Sequence, residues 1–168
     1  MTASNAATKE FTISRTFNAP RDVVWTAWTD RDALAQWWGP KGCTIDVTRL
    51  EVRPGGMFLY SMGLPNGDKW WGRFIYREIV KPERIVFVNS FSDESGNVTR
   101  APFSDKWPKE ILNVMTLTEE GGKTTLSLRG GPIDVSDEER AMFEGMFASM
   151  QQGFGGTFDQ LDAYLAKT

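Results

Sequence analysis

The sequence predicts an α+β fold: seven strands in one antiparallel sheet, two short helices after the first strand, and a long C-terminal helix over one face. Three observations carry this. Apolar residues recur at every second position in seven segments, six of them in one run after residue 42. All but one of the links in that run are short and rich in Gly, Pro or Asn, which suits hairpins and hence antiparallel pairing. From Ser136 onward the apolar spacing becomes that of a helix.

Taken in order, residues 10–18 (EFTISRTFN) put Phe11, Ile13 and Phe17 on one strand face. Pro20 suits a first helical turn, and Val24, Ala27 and Trp28 make one stripe, so a helix is expected over 20–28. Thr29 with Asp32 resembles a capping box and starts a second short helix, which carries Leu34, Trp37 and Trp38 and stops at Gly39-Pro40. Adjacent helical residues point about 100° apart. Trp37, one turn after Leu34, is therefore assigned to the core and Trp38 to the mouth of a cavity.

The strand run begins with CTIDVTRLEV (43–52), and Pro54-Gly55-Gly56 turns it into MFLYSM (57–62). Pro65-Asn66-Gly67 is a strong hairpin signal before KWWGRFIYREIV (69–80), and Lys81-Pro82-Glu83 turns into RIVFVNSF (84–91). A long polar loop, 92–108, precedes KEILNVMTLTE (109–119) and KTTLSLRGG (123–131). The final segment opens on a capping box, Ser136 with Glu139, and carries Met142, Met146, Met150, Leu161 and Leu165 through residue 166. One helix of roughly 30 residues, about 45 Å long, is expected. Gly145, Gly153, Gly155 and Gly156 lie within it. They predict a bend near 153–156, or a neighbour too close for a Cβ.

Composition narrows function mainly by exclusion. The 168 residues suit one domain (9–168) behind a flexible leader (1–8). A net charge of −3 argues against a nucleic-acid backbone as partner. No apolar run is long enough for a membrane span, and the N-terminus lacks a signal-peptide layout, so a cytoplasmic location is expected. Cys43 is the single cysteine, which rules out an internal disulfide; it is expected to be a buried, inert thiol. The absence of histidine removes Ser-His-Asp and Cys-His arrangements and His-ligated metal. No cofactor and no metal are expected, and no catalytic constellation is recognisable. Gly122-Lys123-Thr124 lacks the earlier glycine of a phosphate-binding loop and leads into a strand, so it is read as a hairpin.

The charged residues Arg49, Glu51, Arg53, Arg73, Arg77 and Glu78 alternate with apolar ones and are read as the solvated outer face. The inner face is rich in Met and aromatics. Its candidates for lining a ligand cavity are Trp38, Phe58, Tyr60, Trp70, Phe74, Phe87, Phe91 and Met115 on the sheet side. Met146, Met150 and Phe154 are those on the helix. From composition alone, a filled core with Met as gap-filler suits the set better than an open cavity.

The run NAPRDVVWTAWTDRDALAQWWGP resembles the opening of the family homologous to the activator of heat-shock protein 90 ATPase, within the START-like (SRPBCC) superfamily. KPERIVFVNSFSDESGNVTR, WPKEILNVMTLTEEGGKTTLSL and MQQGFGGTFDQLDAYL are similar to later parts of the same family, so the resemblance spans residues 9–166. It implies a helix-grip fold, in which a curved sheet wraps the C-terminal helix and leaves a cavity for apolar small molecules. Relatives usually carry Trp where Phe154 stands. The eukaryotic activators resemble this chain only through their C-terminal domain, so direct ATPase activation is not expected. Three functions follow as expectations. The first is binding of a hydrophobic or amphipathic small molecule by a monomer or homodimer. The second is a cyclase-like or hydrolase-like enzyme whose base is a carboxylate or a tyrosine inside the pocket, Tyr60 and Tyr76 being the named candidates. The third is a co-chaperone-type module that exposes the Trp pair and Trp107 to a protein partner.

Overall fold

The computed structural model describes residues 9–167, so the expected leader lies outside the described residues. In chain order the elements are β1 (Phe11–Phe17), α1 (Arg21–Thr29), α2 (Arg31–Trp37), β2 (Thr44–Leu50), β3 (Met57–Gly63), β4 (Lys69–Val80), β5 (Arg84–Ser92), β6 (Ile111–Glu120), β7 (Lys123–Pro132), α3 (Asp137–Gly145) and α4 (Phe147–Leu165). The strands form one curved antiparallel sheet in the order β1-β7-β6-β5-β4-β3-β2. This is the α+β fold that the sequence pattern predicts, in the helix-grip arrangement that the family resemblance implies.

The order has one topological consequence. Short turns join β2 to β3, β3 to β4, β4 to β5 and β6 to β7, and a long loop joins β5 to β6, but β1 and β2 stand at opposite edges. The helix pair α1–α2 must cross from one edge to the other, closing one end of the curved sheet. Registers confirm the inward phase: Phe58 pairs with Phe74, Tyr60 with Gly72 and Met62 with Trp70. On the next pair Gly72 meets Phe91 and Phe74 meets Asn89. β-bulges interrupt the pairing between Val47 and Arg49 and between Tyr76 and Glu78, increasing local twist.

The helix termini depart from expectation in three ways. The cap of α2 is Asp30, whose Oδ2 accepts from the Ala33 N–H at 3.0 Å. Thr29 instead donates its hydroxyl back to the Trp25 carbonyl at 2.8 Å, inside α1. A carboxylate is at least as good a cap as a hydroxyl, so the chain uses the one a residue later. The C-terminal segment is two helices. The capping box at Ser136 and Glu139 forms, with Glu139 Oε1 accepting from Ser136 N–H at 2.9 Å and Ser136 Oγ from Glu139 N–H at 3.2 Å. Helix α3 then ends at Gly145, where Met146 leaves helical dihedrals (φ −99°, ψ 7°) and its N–H turns to the Phe143 carbonyl three residues back. Through 153–156, where a bend was expected, α4 is unbroken. A Cβ added at Gly145, Gly153, Gly155 or Gly156 would meet nothing within 4 Å, so close approach is not their reason either.

Packing divides the interior in two. The larger cluster joins α1, α2 and the lower half of α4 to the sheet, and includes Phe17, Trp28, Trp37, Phe58, Phe74, Met115, Phe158 and Leu161. The smaller gathers Phe11, Ala101, Trp107, Ile111 and Phe143 beneath α3 and the loop after β5. Phe154 packs against both. Outside the sheet, Glu51 sits between Arg49 (2.9 Å) and Arg53 (3.1 Å), and Arg84 pairs with Glu78 (2.7 Å). These exposed pairs contribute little to stability. No helix among the described residues is long and apolar enough to cross a membrane.

Trp37 is fully buried, and its indole N–H donates to the Ala27 carbonyl at 2.8 Å. Trp37→Ala is therefore expected to cost about 3–5 kcal/mol, the range for an aromatic truncated in a close-packed core. Urea denaturation followed by far-UV circular dichroism measures it, and a loss below about 1 kcal/mol would contradict a core role.

Candidate functional site

The two adjacent tryptophans separate because α2 ends between them. Trp38 is the C-cap residue, with extended dihedrals (φ −69°, ψ 146°) and its N–H on the Leu34 carbonyl at 3.0 Å. Its ring turns to the sheet, with centroids 5.3 Å from Phe74, 6.0 Å from Tyr60 and 6.5 Å from Phe58. Gly39 follows with φ +93°, in the left-handed region, and a Cβ there would lie 2.7 Å from Ile45 Cδ1. The exposed carbonyls of this turn dock on α4. Gln160 Nε2 donates to the carbonyls of Gly39 (2.7 Å) and Trp37 (3.1 Å), and Thr157 Oγ1 donates to Gly39 (3.0 Å).

Above this turn lies a cavity of about 320 Å³, bounded by the sheet, α4 and the loop after β5. It occupies the gap between the two core clusters. Six of the expected lining residues border it: Trp38, Tyr60, Phe91, Met146, Met150 and Phe154. Four others, Phe58, Phe74, Phe87 and Met115, do not; they are buried in the larger cluster under the C-terminal half of α4. Trp70 is also absent from the wall. It packs on the aromatics of the rim, 6.1 Å from Phe91 and 6.3 Å from Phe103.

The wall includes residues that sequence reasoning did not assign to it, among them Trp107, which was expected to face a protein partner. Phe103 and Trp107 come from the loop 92–108, which shows no apolar periodicity, and their rings stand 5.8 Å apart. Gly39, Met62 and Thr157 contribute from the floor, and Gly153 from α4. Asn89 carried a signal that could have found it, being a polar residue in the inward phase of β5. A larger hollow of about 500 Å³ lies along β1, β6 and β7 on the opposite face, lined by Thr12, Ser14, Thr116, Ser127 and Arg129 among others. Its lining mixes small polar and aliphatic side chains and has no aromatic ring, which makes it a poorer candidate than the aromatic cavity.

The polar groups of the cavity are few and neutral. No Asp, Glu, Lys or Arg lines it. Asn113 donates from Nδ2 to Asn89 Oδ1 (2.6 Å) and to the Ile111 carbonyl (3.1 Å). Tyr60 lies across Gly72, where a Cβ would come within 2.6 Å of its hydroxyl oxygen. Burial pushes the Tyr60 pKa up to about 12, against a small opposing pull from the Trp38 indole. That indole N–H is itself buried without an acceptor in hydrogen-bonding geometry among the described residues. Tyr76, also raised by burial, lies away from the cavity wall. Among the described residues no cluster of Asp, Glu and Cys is placed to hold a metal. Cys43, expected to be buried, is half-buried in the turn after Gly39-Pro40, its N–H on the Pro40 carbonyl at 3.2 Å.

Residues 18–166 match the family model described as Activator of Hsp90 ATPase homolog 1-like protein. Among solved structures, protein Ms6760 from Mycobacterium smegmatis is 29% identical, with a TM-score of 0.78 over 96% of this chain and 93% of that one. A protein from Arthrobacter aurescens is 27% identical, with a TM-score of 0.79 over 96% of this chain and 88% of its own. An AHSA1 protein from Silicibacter pomeroyi shares the fold at 18% identity and a TM-score of 0.71, covering 94% of this chain and 98% of that one. No curated protein matches the chain.

The raised Tyr60 pKa has a definite sign in stability. Between the unfolded tyrosine value near 10 and the folded value of about 12, the unfolded chain has lost the phenolic proton and the folded chain keeps it. Stability should therefore fall as pH climbs through that window, by about 1.4 kcal/mol per pH unit for this one proton. Tyr76 acts in the same direction, so Tyr60→Phe should flatten the decline rather than abolish it. Urea titrations at pH 9 to 12 on both proteins test this, and identical slopes would disprove it.

Proposed function

This chain belongs to the family of Activator of Hsp90 ATPase homolog 1-like proteins, and from that premise we propose that it binds a hydrophobic or amphipathic small molecule between the sheet and the C-terminal helices. The observation that carries this reading is the gap between the two core clusters. Interiors normally close such gaps, because unfilled space forfeits dispersion contacts and burial. Here about 320 Å³ stays open beside Phe91, Phe103 and Trp107, within the range of small-molecule sites. Gly153 supports the reading. Unlike Gly145, Gly155 and Gly156, which are equally free of close neighbours, it borders the cavity, and the absence of a side chain leaves that edge open.

The enzyme reading has less support. It needs a base on the wall, and no carboxylate is there. Tyr60 is held towards its neutral form by burial, which makes it a poor base near neutral pH. The co-chaperone reading needs an exposed apolar patch, yet Trp37 and Trp107 are buried and Trp38 is half-buried. Of the large apolar residues, Phe103 is the exposed one among the described residues, and it stands on the cavity rim. A cytoplasmic setting is consistent with the lone cysteine.

A Gly153→Leu variant separates binding from folding. Gly153 is exposed and borders the cavity, so a leucine there can cover its mouth without a clash, and stability should hold or rise by up to about 1 kcal/mol from helix propensity. Ligand binding should be lost. A thermal-shift screen of neutral lipids and polycyclic aromatics on the unmodified protein supplies the ligand, since 100-fold excess over Kd stabilises by about 2.7 kcal/mol. A hit that shifts wild type and Gly153→Leu equally would place binding elsewhere.

A further inference from the structure

The cavity's hydrogen-bond inventory restricts what it can hold. Asn113 Nδ2 donates to the Ile111 carbonyl, which sets the orientation of that amide. The Asn113 Nδ2 therefore meets Asn89 as a donor, and the Asn89 atom facing it, at 2.6 Å, is the acceptor Oδ1. The consequence is that Asn89 Nδ2, on the cavity wall, keeps both its N–H groups without a partner among the described residues. Tyr60 lines the same cavity from β3, two strands from Asn89. Tyr60 pairs with Gly72, Gly72 with Phe91, and Asn89 lies two residues from Phe91 on the same strand face. With no Cβ on Gly72, the tyrosine ring lies over β4. Its hydroxyl stays protonated at physiological pH and so remains able to donate. Around these donors stand aromatic rings and no formal charge.

We propose that the cavity selects an uncharged aromatic molecule bearing a carbonyl or ether oxygen, which accepts a hydrogen bond from Asn89 Nδ2 beside the Tyr60 hydroxyl, and that it rejects carboxylates. This rests on the small-molecule reading above and adds the chemistry of the ligand. An acceptor oxygen satisfies a donor that is otherwise left without a partner when a ligand expels water. A carboxylate entering the same space finds no cation on the wall to offset its desolvation. Rings match the wall, where Phe91, Phe103 and Trp107 offer edges and faces within 6 Å of one another in sequence.

Three probes that share a diphenyl frame test the proposal: diphenylmethane, benzophenone and the branched anion diphenylacetate. They are titrated into the full chain and followed by ¹H–¹⁵N correlation NMR, including side-chain amides. Benzophenone should bind about tenfold more tightly than diphenylmethane, the worth of one net hydrogen bond. It should move the Asn89 amide resonances, and diphenylacetate should show no saturable binding. In Asn89→Leu, benzophenone should lose its advantage over diphenylmethane, and the backbone amide spectrum of the variant shows that it is folded. Equal affinities for benzophenone and diphenylmethane in the wild type, or binding of diphenylacetate as tight as benzophenone, would overturn the proposal, whatever the variant does. If none of the three moves any cavity resonance, the small-molecule reading itself fails and takes this proposal with it.

Discussion

The arrangement depends on how the chain crosses from the first strand to the second. Strands β1 and β2 occupy opposite edges of the sheet, so α1 and α2 must span it and turn back. The turn at Trp37–Pro40 is held by α4, through Gln160 and Thr157 on the Gly39 carbonyl and Gln160 on the Trp37 carbonyl. These carbonyls belong to the last turn and exit of α2, which a helix cannot satisfy internally. Their satisfaction by side chains of a distant helix ties sheet edge, helix pair and C-terminal helix into one unit. It also sets the height at which Trp38 meets the sheet, and thus where the core stops and the cavity starts.

The cavity is best understood as a boundary between two well-packed regions. Below it, Phe74 stacks on Phe87 at 4.1 Å and meets Phe58 edge-on at 5.1 Å. Beyond it, Phe143 contacts Trp107 and Phe147 beneath α3. The break at Met146 lets α3 follow the loop after β5, to which it is tied by Arg100–Glu139 and Lys106–Glu138. A single straight helix would have one direction for both clusters. Two helices serve each cluster with its own, and Met146, Met150 and Phe154 are left facing the space between. Flexible Met side chains at such a place can adapt to ligands of differing outline.

The succession of strands along the chain, their antiparallel pairing and inward phase, and the presence of helices before and after the run were legible in the sequence, whereas the pairing of β1 with β7 was not. Period two and period 3.6 are written directly into side-chain choice, because each strand or helix must bury one face. The break at residue 146 was not legible. Met142, Met146 and Met150 keep their spacing of four across it, so the apolar pattern passes through unchanged. What changes there is one backbone dihedral pair and a hydrogen bond that shifts by one residue, neither of which needs a special side chain. The same reasoning explains the misplaced cap: Thr29 and Asp30 are both good caps, and the choice between them depends on where α1 runs out.

For the site, the sequence by itself determined which side of each strand faces inward, and so named Trp38, Tyr60, Phe91, Met146, Met150 and Phe154. It also determined that the wall has no histidine and that any chemistry there is restricted. Only the tertiary structure decided which inward residues reach open space. Phe58 and Tyr60 are equivalent in phase, yet one is sealed in the core and the other borders the cavity. Alternation along a strand records the face but not what stands opposite, and that depends on where a distant helix crosses the sheet. Phe103, Trp107 and the free amide of Asn89 were likewise settled by contacts between elements far apart in the chain, which no local period encodes.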